Sequence, residues 1–296
     1  MPEIMIPVLI LSGVGACIAF FLGFAAQKLA VKTDPKVEAV DAVLPAGNCG
    51  NCGFAGCLQY AEMVVSDPSV SASLCTPGGN DCAAEIARIT GKKAGEIQDV
   101  KAVPRCRGCA DKNCTAKYTY EGLSDCEAAS HLFAGEKNCE YGCLGLGNCT
   151  RVCPKNAIRM NADNLPYVDI DLCNGCGLCA KSCPRNIIQI VPSLASSVVM
   201  CRSHDKGGAT RKNCESGCMG CRICEKTCPH GAMKVIDNLC EIDYEKCMQC
   251  KEPVCLVARC KPQVIAPFYG VEVPDRPAPE PKPKAKAKKS STQNAA

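Results

Sequence analysis

Residues 139–154 read CEYGCLGLGNCTRVCP, and residues 173–184 read CNGCGLCAKSCP. Each stretch carries four cysteines, and the last of them precedes a proline, in Cys153-Pro154 and in Cys183-Pro184. Three thiolates on one tight loop can hold one face of an iron–sulfur cube, while a cysteine turned away by proline reaches a second cube. The two stretches therefore predict a pair of clusters that exchange one ligand each.

The second stretch has the C-x2-C-x2-C-x3-C-P spacing of bacterial ferredoxins, in which the fourth cysteine ligates the other cluster. The first stretch is looser, with three and then five residues between its first three cysteines. Crosswise exchange predicts two [4Fe–4S] sites, made by Cys139, Cys143, Cys149 and Cys183 and by Cys153, Cys173, Cys176 and Cys179.

A zinc site or a disulfide scaffold is the alternative interpretation. Structural zinc sites usually pair CxxC or histidine-containing couples, and the chain has only His131, His204 and His230. Disulfides belong to oxidising compartments, and no signal in the sequence directs the bulk of the chain to one. Cys-Pro after three closely spaced cysteines favours iron–sulfur clusters over both.

The composition predicts small modules rather than one large domain. The chain has 296 residues and 29 cysteines, but only 4 % aromatic residues and no tryptophan, too few large apolar side chains for one big core. The formal charge of +4 comes from residues 275–296, which hold six basic and two acidic residues. Each four-thiolate cluster would add about two negative charges. With its clusters bound, the chain without residues 275–296 is then acidic, which argues against a nucleic-acid partner.

The run Ile4–Gln27 contains no charged residue. As a helix rising about 1.5 Å per residue, it is long enough to cross a bilayer. A signal peptide would need a positive start, which residues 1–3 (MPE) lack, and the later modules are too small to bury such a helix. Because lysines follow the run and an acidic residue precedes it, the sequence predicts a single-pass anchor with the rest of the chain on the cytoplasmic side of the cell membrane.

A first cysteine module follows a short linker. Residues 48–57 read NCGNCGFAGC, and their glycines let the backbone approach a cluster and donate N–H bonds to sulfur. Helices are predicted over Leu58–Ser66 and Ala83–Ile89, and Cys82 on the second is interpreted as structural. The distant fourth cysteine precedes Thr76-Pro77-Gly78-Gly79. The predicted [4Fe–4S] ligands are Cys49, Cys52, Cys57 and Cys75.

A second cysteine module repeats the C-x2-C-x4-C spacing, with a shorter gap to the fourth cysteine. Internal duplication of the preceding module explains the repeat, and a disordered connector that contains thiols is the alternative. A helix is predicted over Ala128–Phe133. The predicted ligands are Cys106, Cys109, Cys114 and Cys126.

A second ferredoxin-like unit occupies residues 218–260. Crosswise exchange predicts two further [4Fe–4S] sites, made by Cys218, Cys221, Cys224 and Cys260 and by Cys228, Cys247, Cys250 and Cys255. The last half departs from the ferredoxin pattern, because four residues separate its last cysteines and Lys261 stands between Cys260 and the proline. In each unit, two short apolar segments between the halves predict a hairpin, Ile158–Met160 with Val168–Ile170 and Met233–Ile236 with Glu241–Asp243.

Three cysteines in the C-terminal half have no assigned role. Cys214 is close enough in sequence to Cys218 to compete with it as a ligand, while Cys201 and Cys240 match no motif. From residue 274 onward, proline, lysine and alanine alternate without apolar periodicity, which predicts a disordered tail.

The order of these parts resembles the B subunit of the Rnf complex, a membrane-bound, ion-translocating ferredoxin:NAD oxidoreductase. The motifs that carry the resemblance are NCGNCGFAGC at 48–57, CEYGCLGLGNCTRVCP at 139–154 and SHDKGGATRKNCESGCMGCRICEKTCP at 203–229. The resemblance covers nearly the whole chain except the tail. Shorter members of the family resemble only the first module and one ferredoxin-like unit.

The resemblance implies an electron-transfer subunit. It would accept electrons from soluble reduced ferredoxin and pass them to other membrane subunits of the complex. Donation of electrons to an iron–sulfur transcription regulator is an alternative, as is a polyferredoxin subunit of another membrane oxidoreductase. Two further classes of function remain. One is a catalytic subunit that binds its substrate at a cluster with an open, non-cysteine position, and the other is a redox sensor or assembly protein. The chain has no dinucleotide fingerprint, phosphate loop or nucleophile–base pair, so no autonomous catalytic site is expected.

The predicted fold class is a series of small α+β modules behind a transmembrane helix. In total, 24 cysteines form six sets of four, which predicts about six [4Fe–4S] clusters, or five or four if the irregular sets at 106–126 and 247–260 are not ligands. The predicted segments are the anchor (1–27), a linker (28–45), the first cysteine module (46–100), the second (101–135), two ferredoxin-like units (136–192 and 193–273) and the tail (274–296).

Overall fold

The computed structural model describes residues 2–29, 34–110, 112–250, 260 and 262–268. The predicted ligand Cys255 and the predicted tail at 274–296 lie outside these residues. The chain forms two compact units, Met1–Gln98 (unit 1) and Asp99–Ala296 (unit 2). The segment 101–135, predicted as a module of its own, belongs to unit 2 together with both ferredoxin-like segments.

Unit 1 begins with helix α1 (Pro2–Leu29), which covers the uncharged run. Several large apolar side chains of α1 are exposed, among them Phe20 and Phe21 at 75 % each. Counted over the residues whose side chains the structure describes, no helix is long and apolar enough to cross a membrane. The membrane anchor at 1–27 stays a prediction.

Three further helices form the core of unit 1: α2 (Pro35–Val43), α3 (Cys57–Ser66) and α4 (Gly79–Thr90). The segment 28–45, expected as a linker, therefore contains a nine-residue helix. The physical reason is its pattern, since Val37, Val40 and Leu44 are spaced to share one helical face and are all buried in this core. The side chain of Asp34 caps α2 by accepting the N–H of Lys36 at 2.8 Å.

Helices α3 and α4 confirm the two helices predicted for this module, and each begins before its predicted start. Tyr60 and Val64 of α3 and Ile86 of α4 are fully buried. The Tyr60 hydroxyl donates to the carbonyl of Ser71 at 2.9 Å, so its polar end is satisfied inside the core. Helix α4 ends at Gly91, whose φ of +72° is left-handed.

Within its described residues, unit 2 contains four two-stranded antiparallel sheets. Two are local hairpins, which confirms the predicted pair of hairpins, although the second strand of each begins two residues before the predicted segment. These are β2 (Ile158–Met160) with β3 (Pro166–Val168), and β6 (Met233–Ile236) with β7 (Leu239–Ile242). The other two sheets join distant segments, β1 (Val100–Pro104) with β4 (Ile188–Pro192), and β5 (Ser197–Val199) with β8 (Ile265–Pro267).

The long-range pairing of β1 with β4 ties the second cysteine module to the first ferredoxin-like segment. Val103 and Val191 are buried at 1 % and 0 % exposure, and they belong to one core cluster. Beyond the sheet, the N–H of Arg105 donates to the carbonyl of Ile187 at 2.8 Å. The start of the cysteine module is therefore held against the end of the ferredoxin-like segment.

The described residues of unit 2 also form six short helices: α5 (Cys126–His131), α6 (Asn148–Arg151), α7 (Leu178–Lys181), α8 (Gly207–Asn213), α9 (Ile223–Thr227) and α10 (Tyr244–Cys247). Helices α6, α7 and α9 each carry the third cysteine of a motif, and each follows a residue with positive φ. These cysteines are buried at 7–9 % exposure, Cys149, Cys179 and Cys224.

A glycine permits the close packing of β1 on the cysteine loop before α7. Gly175 has a φ of +67°, and a Cβ built there would lie 2.4 Å from the carbonyl oxygen of Val100. Any other residue would collide with the strand backbone, so this position requires glycine for both conformation and space.

Candidate iron–sulfur centres

Twenty-eight of the 29 cysteines lie among the described residues, and none of these 28 forms a disulfide. Within the same part of the chain, no three histidine, cysteine or acidic side chains are grouped as ligands of a single metal ion. Most of the predicted ligands are buried or half-buried.

Three cavities formed by described residues of unit 2 are each lined by four or five cysteines. The α6 cavity is lined by Cys126, Cys143, Cys149 and Cys183. The α9 cavity is lined by Cys218, Cys221, Cys224, Cys240 and Cys260. The α8 cavity is lined by Cys106, Cys114, Cys139, Cys201 and Cys214. At least four sulfurs in one cavity wall match the four thiolate ligands of a [4Fe–4S] cluster.

Two further cysteine groups in unit 2 lie beside these cavities. In the α7 group, Cys179 interacts electrostatically with Cys153, Cys173 and Cys176, and also with Cys149 of the α6 cavity. In the α10 group, Cys247 interacts with Cys228 and Cys250. The α10 group has three described members, and its predicted fourth, Cys255, lies outside the described residues.

The halves of the first ferredoxin-like segment exchange their last cysteines in space. Cys183, from the second half, lines the α6 cavity with Cys143 and Cys149 of the first half. Cys153, from the first half, lies in the α7 group. This is the arrangement that crosswise ligand sharing requires.

Cys126 and Cys139 occupy each other's predicted places. Cys126 lines the α6 cavity, whereas Cys139, predicted for that site, lines the α8 cavity. The reason is local hydrogen bonding, because the side-chain oxygen of Asn148 accepts the N–H of Cys126 at 2.9 Å and its amide donates to Asp125 at 2.9 Å. Helix α5 is thereby fixed to the start of α6.

Cys109 does not join Cys106 and Cys114 at the α8 cavity. It lines a different and larger cavity, where no other described cysteine is present. Its N–H donates to the side chain of Asn113 at 2.7 Å, which closes a tight loop. The C-x2-C-x4-C spacing therefore does not bring its three cysteines to one cavity here.

The three Cys-Pro turns share a hydrogen bond to sulfur. The backbone N–H four residues after the cysteine donates to its Sγ at 3.3, 3.4 and 3.3 Å, for Cys153, Cys183 and Cys228. Each turn passes through a left-handed residue, Asn156, Asn186 or Gly231. Hydrogen bonds to cysteine sulfur are one of the factors that set the reduction potential of a bound cluster.

Burial makes these thiols hard to ionise in the absence of a cation. It raises the pKa of Cys143 and of Cys179 to about 12, and that of Cys149 to about 11. Only a thiolate ligates iron, so loading must release protons and must compensate the buried charge. The iron of a bound cluster provides that compensation.

Unit 1 contains the remaining predicted set. Cys75 lies in the helical core, and Cys52 and Cys57 pack against it. The side-chain oxygen of Asn48 accepts the N–H of Cys57 at 2.8 Å, which orders the start of α3. The fourth predicted ligand of this set is Cys49, which is half-buried.

Comparison with known proteins finds relatives that match most of the chain. The chain is 44 % identical over 260 residues to the B subunit of the proton-translocating ferredoxin:NAD(+) oxidoreductase complex of Clostridium ljungdahlii, covering 88 % of this chain and 91 % of that protein. It is 39 % identical over 251 residues to the B subunit of the Na(+)-translocating complex of Acetobacterium woodii, covering 85 % and 75 %. A third relative, the B subunit of an ion-translocating oxidoreductase complex of Methanosarcina acetivorans, is 38 % identical over 81 % of this chain and 90 % of its own length.

The chain belongs to the family of B subunits of ion-translocating ferredoxin:NAD(+) oxidoreductase complexes.

Two family models match parts of this B-subunit chain. One, described as "Putative Fe-S cluster", matches residues 44–77, which contain the whole predicted cysteine set of unit 1. The other, a 4Fe-4S binding domain, matches residues 166–189, which contain Cys173, Cys176, Cys179 and Cys183. The chain is therefore an iron–sulfur protein, and the number of clusters and their individual ligands stay predictions.

Sequence reasoning missed the cysteines of this B-subunit chain that lie in or beside a site without matching a motif. Cys201 and Cys214 line the α8 cavity. Cys240 contacts Cys224 in the α9 cavity, with 3.4 Å between the two sulfurs, and Cys82 forms a hydrogen bond with Cys75. Spacing marked only Cys214 among them, as a possible competitor of Cys218, because Cys82, Cys201 and Cys240 belong to no cysteine motif.

Proposed function

We propose that this chain is the iron–sulfur electron-transfer subunit that accepts electrons from reduced soluble ferredoxin. It passes them to the membrane subunits of an ion-translocating ferredoxin:NAD(+) oxidoreductase. Bound [4Fe–4S] clusters supply reversible one-electron transfer, while the protein spaces them and tunes their potentials. The observation that carries the proposal is the unbroken succession of five cysteine groups through unit 2.

The first steps of this succession lie in the first ferredoxin-like segment. Cys179 of the α7 group and Cys149 of the α6 cavity belong to one buried cluster. From the α6 cavity, the N–H of Cys143 donates to the sulfur of Cys106 in the α8 cavity at 3.4 Å. Two neighbouring sites are thus joined by a single backbone hydrogen bond.

The later steps lead through the second ferredoxin-like segment. The N–H of Cys218, in the α9 cavity, donates to the sulfur of Cys201, in the α8 cavity, at 3.3 Å. Cys228 of the α10 group packs against the core cluster that contains Cys224 of the α9 cavity. The order α7, α6, α8, α9, α10 is a path of contacting sites, which suits conduction better than catalysis at one substrate pocket.

The membrane position belongs to the same proposal. Helix α1 covers an uncharged run of 24 residues, and its Phe20, Phe21 and Leu22 are 65–75 % exposed. Exposed large apolar side chains suit a lipid environment. Because lysines follow the helix, we place the anchor across the cell membrane in a single pass, with the rest of the chain on the cytoplasmic side.

The proposed entry and exit follow from the order of the chain. The cysteine set of unit 1 follows the proposed anchor after a short stretch of chain, so the Cys49–Cys75 cluster is placed as the exit toward the membrane subunits. The ferredoxin-like segments are placed as the entry for soluble ferredoxin. Six clusters are proposed in total, one in unit 1 and five in unit 2.

The assembled complex provides the test. Reduced ferredoxin is mixed anaerobically with the complex, and bleaching of the visible absorbance is followed together with NAD(+) reduction. The variant Cys52→Ala leaves three thiolates in the unit 1 site and shares no ligand with unit 2. It should still bleach its remaining clusters, while NAD(+) reduction by the complex is lost.

The variant Cys176→Ala is the matched comparison, because it removes a ligand from the α7 group instead. It should slow the bleaching by ferredoxin itself. Intact NAD(+) reduction in Cys52→Ala would contradict the exit assignment. Failure of reduced ferredoxin to bleach the wild-type complex would contradict the proposed function as a whole.

A further inference from the structure

The α8 cavity is assembled from three separate parts of the chain. Cys106 follows β1, Cys139 begins the first ferredoxin-like motif, and Cys201 follows β5. Cys114 and Cys214 pair across an isolated antiparallel bridge, and their thiols form a hydrogen bond with each other. Each of the five is between 5 and 8 % exposed or half-buried, so their sulfurs lie inside the protein.

Cys201 has the surroundings of a bound thiolate. Its residue is 8 % exposed, and its sulfur accepts two backbone N–H groups, from Ser203 at 3.4 Å and from Cys218 at 3.3 Å. A neutral thiol is a weak acceptor, whereas hydrogen bonds to a charged group are short and strong. Two converging N–H donors on one buried sulfur are therefore suited to a thiolate that ligates a metal cluster.

Cys106, which also lines the α8 cavity, accepts one backbone N–H at its sulfur. Its sulfur accepts the backbone N–H of Cys143 at 3.4 Å. The sulfurs of the three Cys-Pro cysteines, Cys153, Cys183 and Cys228, each accept a backbone N–H at a similar distance. Cys106 and Cys201 thus share a hydrogen-bonding pattern with cysteines of the ferredoxin motifs, although neither precedes a proline.

Two buried cations line the α8 cavity. Arg105 is 3 % exposed and pairs with Glu241 at 3.0 Å, but its Nε has no hydrogen-bond partner within the part of the chain that the structure describes. Lys137 is 5 % exposed and donates to the carbonyls of Gly108 and Cys143 at 2.8 and 2.7 Å. A buried positive charge is costly unless it is compensated. An anionic guest in the cavity, such as a four-thiolate cluster of about two negative charges, provides that compensation.

The position of the cavity gives the site a specific role. One hydrogen bond joins Cys106 to Cys143 of the α6 cavity, and another joins Cys201 to Cys218 of the α9 cavity. The α6 cavity belongs to the first ferredoxin-like segment and the α9 cavity to the second. A cluster between them would connect the two segments.

We propose that the α8 cavity holds a [4Fe–4S] cluster ligated by Cys106, Cys139, Cys201 and one member of the Cys114–Cys214 pair, and that this cluster links the two ferredoxin-like segments. The ligand set differs from the one that spacing predicts, since it includes Cys201 and excludes Cys109 and Cys126. The linking role rests on the proposed electron-transfer function. The existence of the site does not, because it concerns only the metal content of the chain.

The test compares two buried cysteines in the full chain purified anaerobically with its clusters. Cys201→Ala should lose about four iron and four sulfide per chain, or lose about one iron and gain the EPR signal of an oxidised three-iron cluster. Cys109→Ala, at a residue of 5 % exposure, should keep the wild-type iron and sulfide content and EPR spectrum. The site fails if Cys201→Ala keeps the wild-type content and spectrum, or if Cys109→Ala loses four iron.

A second variant keeps the proposal testable if Cys201→Ala folds poorly. Cys201→Ser replaces only sulfur by oxygen and keeps the size of the side chain. If Cys201 is a ligand, this variant should either lose about four iron or show a changed EPR spectrum of the reduced chain. Wild-type iron content together with an unchanged spectrum would overturn the assignment. Both readouts use the chain without ferredoxin or NAD(+), so their outcome is separate from that of the proposed function.

Discussion

The backbone N–H of Cys218 donates to the sulfur of Cys201 at 3.3 Å. Cys218 is the first cysteine of the second ferredoxin-like motif, while Cys201 lies after strand β5 and matches no motif. This hydrogen bond places a cysteine without a predicted role between two sites with predicted roles. It makes unit 2 a continuous series of sulfur-lined sites rather than two ferredoxin-like units with a connector.

The exchanged positions of Cys126 and Cys139 predict which substitutions act on the same cluster. Cys139 lines the α8 cavity with Cys201, so the double variant Cys139→Ala/Cys201→Ala should lose no more iron than one cluster holds, about four atoms. Cys126 lines the α6 cavity, so Cys126→Ala/Cys201→Ala should lose about eight. Iron and sulfide analysis of the anaerobically purified chains measures both losses. If the first double variant loses about eight iron atoms and the second about four, the grouping of Cys126 and Cys139 predicted from spacing is correct instead.

Replacement of Gly175 by alanine should weaken unit 2. A Cβ at this position meets the Val100 carbonyl at 2.4 Å, in addition to the strain of a φ of +67°. Left-handed strain costs about 1–2 kcal/mol, and the collision should add about 1–3 kcal/mol. Anaerobic denaturant unfolding, followed by loss of the visible absorbance, measures the difference.

Gly231→Ala is the matched control for Gly175→Ala. Gly231 has a similar φ of +60°, but nothing lies within 4 Å of the added Cβ. This variant should therefore lose only the stability that the left-handed backbone strain costs. Equal losses of stability in the two variants would show that β1 does not pack against the loop before α7 as closely as the structure indicates.

Tyr60 predicts an alkaline dependence of stability. Burial, as the main cause, raises the pKa of its hydroxyl to about 12, above the value of 10.0 for an unfolded tyrosine. The neutral phenol therefore contributes stability that is complete below pH 10 and is lost as the pH rises through 12. Denaturant midpoints of the full chain at pH 8, 10 and 11.5 should fall with pH more steeply for the wild type than for Tyr60→Phe.

Tyr60→Phe itself should cost about 1 kcal/mol at pH 8, because it removes the hydrogen bond to the Ser71 carbonyl and leaves that acceptor unsatisfied. The difference between wild type and variant should then shrink as the pH rises. A constant difference across this range would mean that Tyr60 does not titrate with folding.

The proposed anchor predicts where the chain partitions. The full chain should sediment with membranes, and a chain that begins at residue 31 should be soluble and should keep its iron and its brown colour. A tag placed after residue 296 should be reached only from the cytoplasmic side. If the shortened chain stays in membranes without its partners, the single-anchor proposal is wrong.

The spacing of residues along the chain was sufficient to predict those features that neighbouring residues form. The Cys-Pro motifs, the hairpins β2–β3 and β6–β7 and the helices α3 and α4 are all built from backbone hydrogen bonds between residues close together in the chain. These features are determined by local sequence patterns, namely the spacing of the cysteines, the proline turns and the apolar runs between polar ends. The family also follows from sequence, since motif order and cysteine spacing suffice to distinguish it.

The tertiary structure alone decided which cysteines share a cavity. Spacing grouped Cys126 with Cys106, but Asn148 holds Cys126 beside α6, and the β1–β4 pairing carries Cys106 to the α8 cavity. Cys201, far along the chain from Cys106, reaches the same cavity just after β5, the strand that pairs with β8. A cluster binds sulfurs by their positions in space, and long-range strand pairing is what sets those positions.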